Sequence, residues 1–454
     1  MLLVHRTAVI IAFGAGALFA AAPHALAAQQ RTLDAELVRH DTEREWTLKA
    51  TKMRTVLQPV MRKHGIDMWI IMSRENGPDP ALELFGGNGI TGWYGHRNAY
   101  LFYDPGGAKP LQTVAIGTHL SGHLKAFYDS IVPFRDEGLK PHLQQWVFPR
   151  DPKRIAIDES FSISMAAGLT SSLKAYLVDA LGPKYTKRMT SVEPLLVEYV
   201  STHIDGETEV EREASVATFD ILRRAFSNEV IVPGTTRLMD VYYWITAERK
   251  KQGFEFIFPA SLEIQRIGGV QLDDEANAVI MPGDVLHVDF GVRLAGVVTD
   301  QQKMAYVLKP GESEAPPGLV KAFVNSARMA EIINEELKPG RTGIEIRQAA
   351  QVRLKAEGID GDVYSHVQGY WVHDAGMWTN QDWPERYGAH PRTKLLGGEW
   401  VSLEFSTTTV VPEWGNQKVR MLREEDLHVK KDGTFEYLSG PQKELWVIRP
   451  PPVP

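Results

Sequence analysis

The stretch VLHVDFGVRLAGVVTDQQKMAYVL, residues 285–308, constrains the fold more than any other part of the chain. It reads as two strands around a turn at Ala295-Gly296, with Asp289 and Asp300 in those strands eleven residues apart. Strands flanked by Val, Leu and Phe bury their central residues, and a buried carboxylate is costly unless it is paired or meets a cation. Two on one hairpin point to a metal. In isolation the pair is read equally well as turn caps or as partners of surface lysines. The chain has no cysteine, so any metal must be held by His, Asp or Glu, and disulfides, iron–sulfur clusters and cysteine nucleophiles are excluded.

More such residues follow. SHVQGYWVHDAGMW carries His366 and His373, on text irregular enough that the two rings need not share a ligand sphere. LLGGEWVSLEFS puts Glu404 in an apolar strand, and REEDLHVKKDG puts Glu424 at the head of a strand that ends at the Asp432-Gly433 turn. Two Asp, two Glu and one or two His form a hard, oxygen-rich set suited to Mn, Co, Fe or Zn. Its charge is enough for two divalent ions.

The organisation is that of an α+β protein. From Asp34 to Val200 a helical stretch over Lys49–Lys63 is followed by MWIIM, AYLFY, LQTVAIG and RIAID, which predict strands of a mixed or parallel sheet in an α/β domain over 34–200. Polar residues 201–206 mark a boundary, and a second domain spans 207–449. Within it a pattern occurs twice: a helix into Val232-Pro233-Gly234 with an amphipathic stretch ending at Gly253, then a helix into Lys338-Pro339-Gly340 with one ending at Gly358. Such an echo suggests duplicated halves. Ahead of both domains, Arg6, an uncharged apolar run from Thr7 to Ala22 and Ala25-Leu26-Ala27 predict a cleaved signal peptide over 1–27; an uncleaved anchor is the alternative. A periplasmic or secreted protein is therefore expected, with no membrane association after cleavage. The net charge of −7 and pI near 6.1 speak against a nucleic-acid partner.

The order and spacing of Asp289, Asp300, His366, Glu404 and Glu424 resemble the pita-bread metallopeptidase superfamily, which includes methionine aminopeptidase, aminopeptidase P, prolidase and creatinase. Counting from Glu424 puts Leu427, Val429 and Gly433 where that family has apolar residues and glycine, whereas Glu425 would put His428 and Lys430 there. HVQGYWVHDAGMW is similar to the prolidase version of the histidine motif, with His373-Asp374 as its His-Asp step. KHGIDMWIIMSREN looks like the amino-terminal domain shared by creatinase, prolidase and aminopeptidase P. The resemblance implies a creatinase-like first domain, a duplicated pita-bread domain and a homodimer. It also implies two divalent ions, manganese first, with cobalt, zinc or iron as alternatives, held by those five residues. Glu404 would handle the proton of the attacking water and His373 would hold the substrate or its oxyanion, with a packed strand histidine as the other reading of His373.

Three departures concern the substrate, a small peptide or amide. GGVQLDDEAN has no histidine where the family has one, Leu422 stands for the family's arginine, and Glu404-Phe405-Ser406 stands for Glu-Pro-Gly. Arg392 or Arg420 could supply the missing cation and nearby tryptophans an apolar wall. The expected function is cleavage of Xaa-Pro bonds; the alternatives are a creatinase-like reaction on another small C–N bond, or a binding module without catalysis. Gly87-Asn88-Gly89-Ile90-Thr91-Gly92 has the dinucleotide-loop spacing but precedes strand text rather than a helix, so it reads as a plain loop.

Overall fold

The computed structural model describes residues 31–269 and 277–450. The expected signal peptide and residues 270–276 of GGVQLDDEAN lie outside the described residues.

The first helix begins at Ala35, well before the predicted Lys49. Asp34 Oδ1 caps it by accepting from Leu37 N at 2.8 Å, and it continues through a π turn, Met53–Leu57, into Gln58–Lys63. Its first turns carry no apolar stripe, so periodicity says little there. The cap and i,i+4 ion pairs such as Lys49–Glu45 at 2.5 Å supply the local support instead.

Six strands follow in this domain: β1 (Met68–Ser73), β2 (Asn98–Tyr103), β3 (Gln112–Ile116), β4 (Ser130–Val132), β5 (Ile155–Ile157) and β6 (Met189–Ser191). Their order is β4-β3-β2-β1-β5-β6, with β1–β2 and β2–β3 antiparallel and the other pairings parallel, a mixed sheet as the sequence predicts. All six residues of β1 are buried because β1 is central and both its faces are covered. A helix ends at Ser201 and the next begins at Asp205, so the change of element falls inside the polar 201–206 stretch.

The second sheet is built from β7 (Ser261–Gln265), β8 (Val285–Phe290), β11 (Gln301–Val307), β12 (Asp360–Val363), β13 (His366–Gln368), β14 (Glu399–Val411), β15 (Gln417–Val429), β16 (Phe435–Tyr437) and β17 (Trp446–Ile448). The central order is β12-β14-β15-β11-β8-β7. Between β8 and β11 the chain makes a small ribbon, β9 (Arg293–Leu294) and β10 (Val297–Val298), which turns at Ala295 and Gly296, both at positive φ. Asp300 therefore sits just before β11 rather than within a strand.

The internal echo is structural. Gly234 N donates to Ile280 O and Gly340 N to Leu395 O, both at 2.7 Å, and each Pro-Gly turn leads into a helix, Leu238–Lys251 or Gly343–Ala356. Each half thus ties its helix pair to its own following chain in the same way.

Strand alternation sorts the faces. Val401, Leu403 and Phe405 of β14 pack with Met329, Ile332 and Ile333 of the helix Pro317–Glu336. The intervening Ser402, Glu404 and Ser406 face the other way. The same alternation decides between two neighbouring glutamates on β15: Glu425 is buried against Lys303 Nζ at 2.6 Å and the Arg423 guanidinium, while Glu424 shares the face of Glu404. Glu424 lies in the middle of a 13-residue strand, not at its head as the sequence suggests. No turn residue marks the start of β15 near it, because the long antiparallel pairing with β14 carries the strand back to Gln417. The largest apolar core joins the two domains, running from Trp69 and Phe85 through Leu222 to Phe290 and Trp400.

Candidate metal centre

Four strands bring one row of side chains together. Asp289 on β8 pairs with Gln302 on β11, Gln302 with Glu424 on β15, and Glu424 with Glu404 on β14. Asp300, two residues before Gln302, joins the row from the end of β11, and His366 enters from β13, whose register partner is Ser402 of β14.

The side chains converge. Potential ligand atoms lie within 4.8 Å of one another in each of three groups: Asp289, Asp300 and Glu424; His366, Glu404 and Glu424; and Asp300, His366 and His373. His366 Nε2 stands 3.8 Å from Asp300 Oδ2, 3.6 Å from Glu404 Oε2 and 3.6 Å from Glu424 Oε1. These separations are too long for hydrogen bonds, yet two ligands each about 2.0–2.2 Å from one ion can span them. Asp289 Oδ1, Asp300 Oδ1 and His366 Nε2 are buried with no hydrogen-bond partner. Orphaned oxygens and an imidazole nitrogen pointing into one space fit a cation, and Asp300 and Glu424, shared between groups, could bridge two.

The protonation of the metal-free cluster reflects the same crowding. Burial, then the Glu424 charge, pushes Asp289 up to about 8, and burial, then Glu404, pushes Glu424 up to about 7. Asp300 is driven well above the usual carboxylate range by burial and by the surrounding acids. Burial works to lower His366, but the close negative charges of Glu404 and Glu424 win and raise it to about 10. A divalent ion would displace the protons held by the acids and by His366.

His373 also reaches the centre, its ring centroid 4.4 Å from that of His366. The His366 charge first, then burial, pushes its pKa down to about 3, so the ring is neutral. Asp374 anchors the step that carries it, accepting from Tyr370 N at 2.9 Å and from Ala375 N at 2.6 Å.

Two residues that the sequence reading leaves out stand inside this row. Gln302 Nε2 donates to Glu404 Oε1 at 2.7 Å and to Glu424 Oε2 at 2.9 Å. Its Oε1 lies 2.9 Å from His287 Nε2, and burial holds His287 down at about 4, so the neutral ring donates and fixes which way the amide points. One amide therefore orients both glutamates and leaves their other oxygens, Glu404 Oε2 and Glu424 Oε1, toward His366. A position of Gln two residues after an acid already singled out was the available signal, since period-two alternation puts it on the same face. Gln302→Leu should keep the fold and weaken metal binding about ten- to hundredfold, which competition with a fluorescent chelator measures.

A cavity of about 500 Å³ opens onto Glu404, His366 and His373. The two arginines expected to supply a cation do not line it. Arg392 is held by Asp382 at 2.7 Å, and Arg420, on the face of Glu424 but four residues along β15, has an exposed side chain.

Residues 209–431 match the metallopeptidase family M24. No curated protein matches the chain. Among solved structures, the chain is similar to the X-Pro aminopeptidase from Thermotoga maritima MSB8 (TM-score 0.62, 16% identity, covering 86% of this chain and 99% of that one). It is also similar to the Xaa-Pro dipeptidase from Bacillus anthracis (0.57, 18%, 88% and 99%) and the prolidase from Pyrococcus horikoshii OT3 (0.57, 17%, 87% and 99%). At these identities the likeness establishes the fold, an amino-terminal α/β domain followed by a pita-bread domain. The family match lies on the very strands that carry the acid and histidine row, so residues 209–431 form a domain of metallopeptidase family M24, the pita-bread metallopeptidases.

Proposed function

We propose that this protein is an exported, homodimeric, dinuclear metallohydrolase that cleaves the bond before proline in small peptides, with manganese as the first candidate for its ions. The observation that carries this reading is the convergence of Asp289, Asp300, His366, Glu404 and Glu424 beneath a cavity that only Glu404 and His366 of the five line.

When bound, the ions would supply an activated water and polarise the scissile carbonyl. Glu404 borders both the cavity and the centre, so it takes the proton of the attacking water and passes it toward the leaving nitrogen. Gln302 keeps one Glu404 oxygen engaged and the other free for this exchange. His373, which lines the cavity beside His366, donates a hydrogen bond to the oxygen on which charge develops.

A second reading keeps the centre and changes the substrate to a non-proline C–N bond. It is favoured by Ser406 and Leu422, which pair one step beyond Glu404 and Glu424 on the same face and offer a substrate no charge. Metal analysis of the purified protein, followed by an Xaa-Pro peptide library, tests the first reading. Two equivalents of metal with Xaa-Pro cleavage support it, whereas two equivalents with an inert library favour the second.

A further inference from the structure

The cavity above the centre has a wall of distinct chemistry. Tyr364, Trp378, Trp383 and Tyr387 contribute aromatic faces, and its two guanidinium groups belong to Arg347 and Arg386. Arg347 is committed to the protein itself, donating to Asp362 at 2.6 Å and to Val363 O. Arg386 pairs with no carboxylate among the described residues; its guanidinium lies 5.7 Å from the ring centre of Trp383 and 5.2 Å from that of Tyr387. With the charge of Asp362 answered by Arg347, the part of the cavity away from the centre carries one unbalanced positive charge.

This wall is held in place before any ligand arrives. Trp378 stacks on His390 with ring centroids 3.6 Å apart, and Asp382 and Arg392 clip the two ends of the segment together. Gly388, at φ +56°, presses so closely on Ser162 O of the first domain that a Cβ would lie 2.0 Å from that oxygen. A pre-formed aromatic wall suits a flat apolar group, and a planar guanidinium braced between rings suits the two oxygens of a carboxylate.

We propose that Arg386 is the specificity-determining cation of this site and that the substrate is an amide with a flat aromatic group against Trp378 and Trp383 and a free carboxylate at Arg386. This rests on the reading above that an amide is hydrolysed at the metal centre. It differs from that reading in assigning the far end of the substrate.

The test uses the manganese-loaded full-length protein and two small probes, N-benzoylglycine and its carboxamide, which differ only in the terminal group. Calorimetric titration should give about tenfold tighter binding of the acid. The ratio should fall to about one in Arg386→Ala, recover in part in Arg386→Lys and reverse in Arg386→Glu. Arg386 is exposed, so these variants should fold with unchanged melting temperature. Equal affinity of the wild type for both probes, or an undiminished ratio in Arg386→Ala, overturns the proposal. An inert Xaa-Pro library alongside an intact acid preference overturns only the proline reading.

Discussion

Asp300→Asn is expected to release at least one ion and to reduce turnover to background. Asp300 belongs to two of the three groups that could hold an ion, a share matched only by His366 and Glu424. An amide oxygen replaces one carboxylate oxygen, but the negative charge that offsets a divalent ion is gone, and the new NH2 group points a donor where a cation belongs. The loss should exceed the ten- to hundredfold expected for Gln302→Leu, which disturbs orientation alone. Metal content by mass spectrometry together with kcat on the best substrate checks it. A fully active, metal-replete Asp300→Asn protein would falsify the assignment.

The second large effect is on stability without metal. In the folded, metal-free protein, Asp289 near 8 and Glu424 near 7 keep protons that the unfolded chain gives up above its ordinary carboxylate range. Folded protein then binds more protons than unfolded, and stability falls as pH rises between about 4 and 8. His366, raised to about 10, contributes stability that is complete below its unfolded value of about 6.5 and is lost as pH climbs to 10. Both contributions have the same sign. The chelator-treated protein should therefore melt about 5–10 °C lower at pH 9 than at pH 6, with a much smaller change once metal is bound. Metal affinity should rise over the same range, with proton release visible as a buffer-dependent heat of binding. A metal-free melting temperature that climbs from pH 6 to pH 9 would contradict the crowding of acids described here.

How much of this could be read beforehand depended on the kind of residue. Asp289, Asp300, Glu404 and Glu424 stood out because a carboxylate inside an apolar strand demands a cause, and the strands of the first domain stood out because MWIIM and AYLFY are compact apolar runs. Gln302 and His287 did not stand out. Their importance comes from β11 lying between β8 and β15, a pairing that joins residues 122 apart and that no local pattern encodes. Arg386 was hidden for a related reason. Several arginines lie near the site in sequence, and the folding of 376–392 against Ser162 decides which one faces the cavity. The polar opening of the first helix escaped notice because capping and ion pairs, rather than an apolar stripe, define it.

The row of side chains across β8, β11, β15 and β14 also dictates when an ion can be acquired. A slip of one residue in the pairing of β15 would turn Glu424 away and bring Glu425 in its place, so the ligand set exists only in the correct register. Glu424 is the last of the five candidate ligands in the sequence, and synthesis proceeds from the amino-terminal side. Loading must therefore wait until β15 has been made and has docked on β14 and β11. Because oxygen and imidazole sites rank divalent metals by a general affinity order rather than by strict preference, the occupant is set by the metals available where that docking finishes.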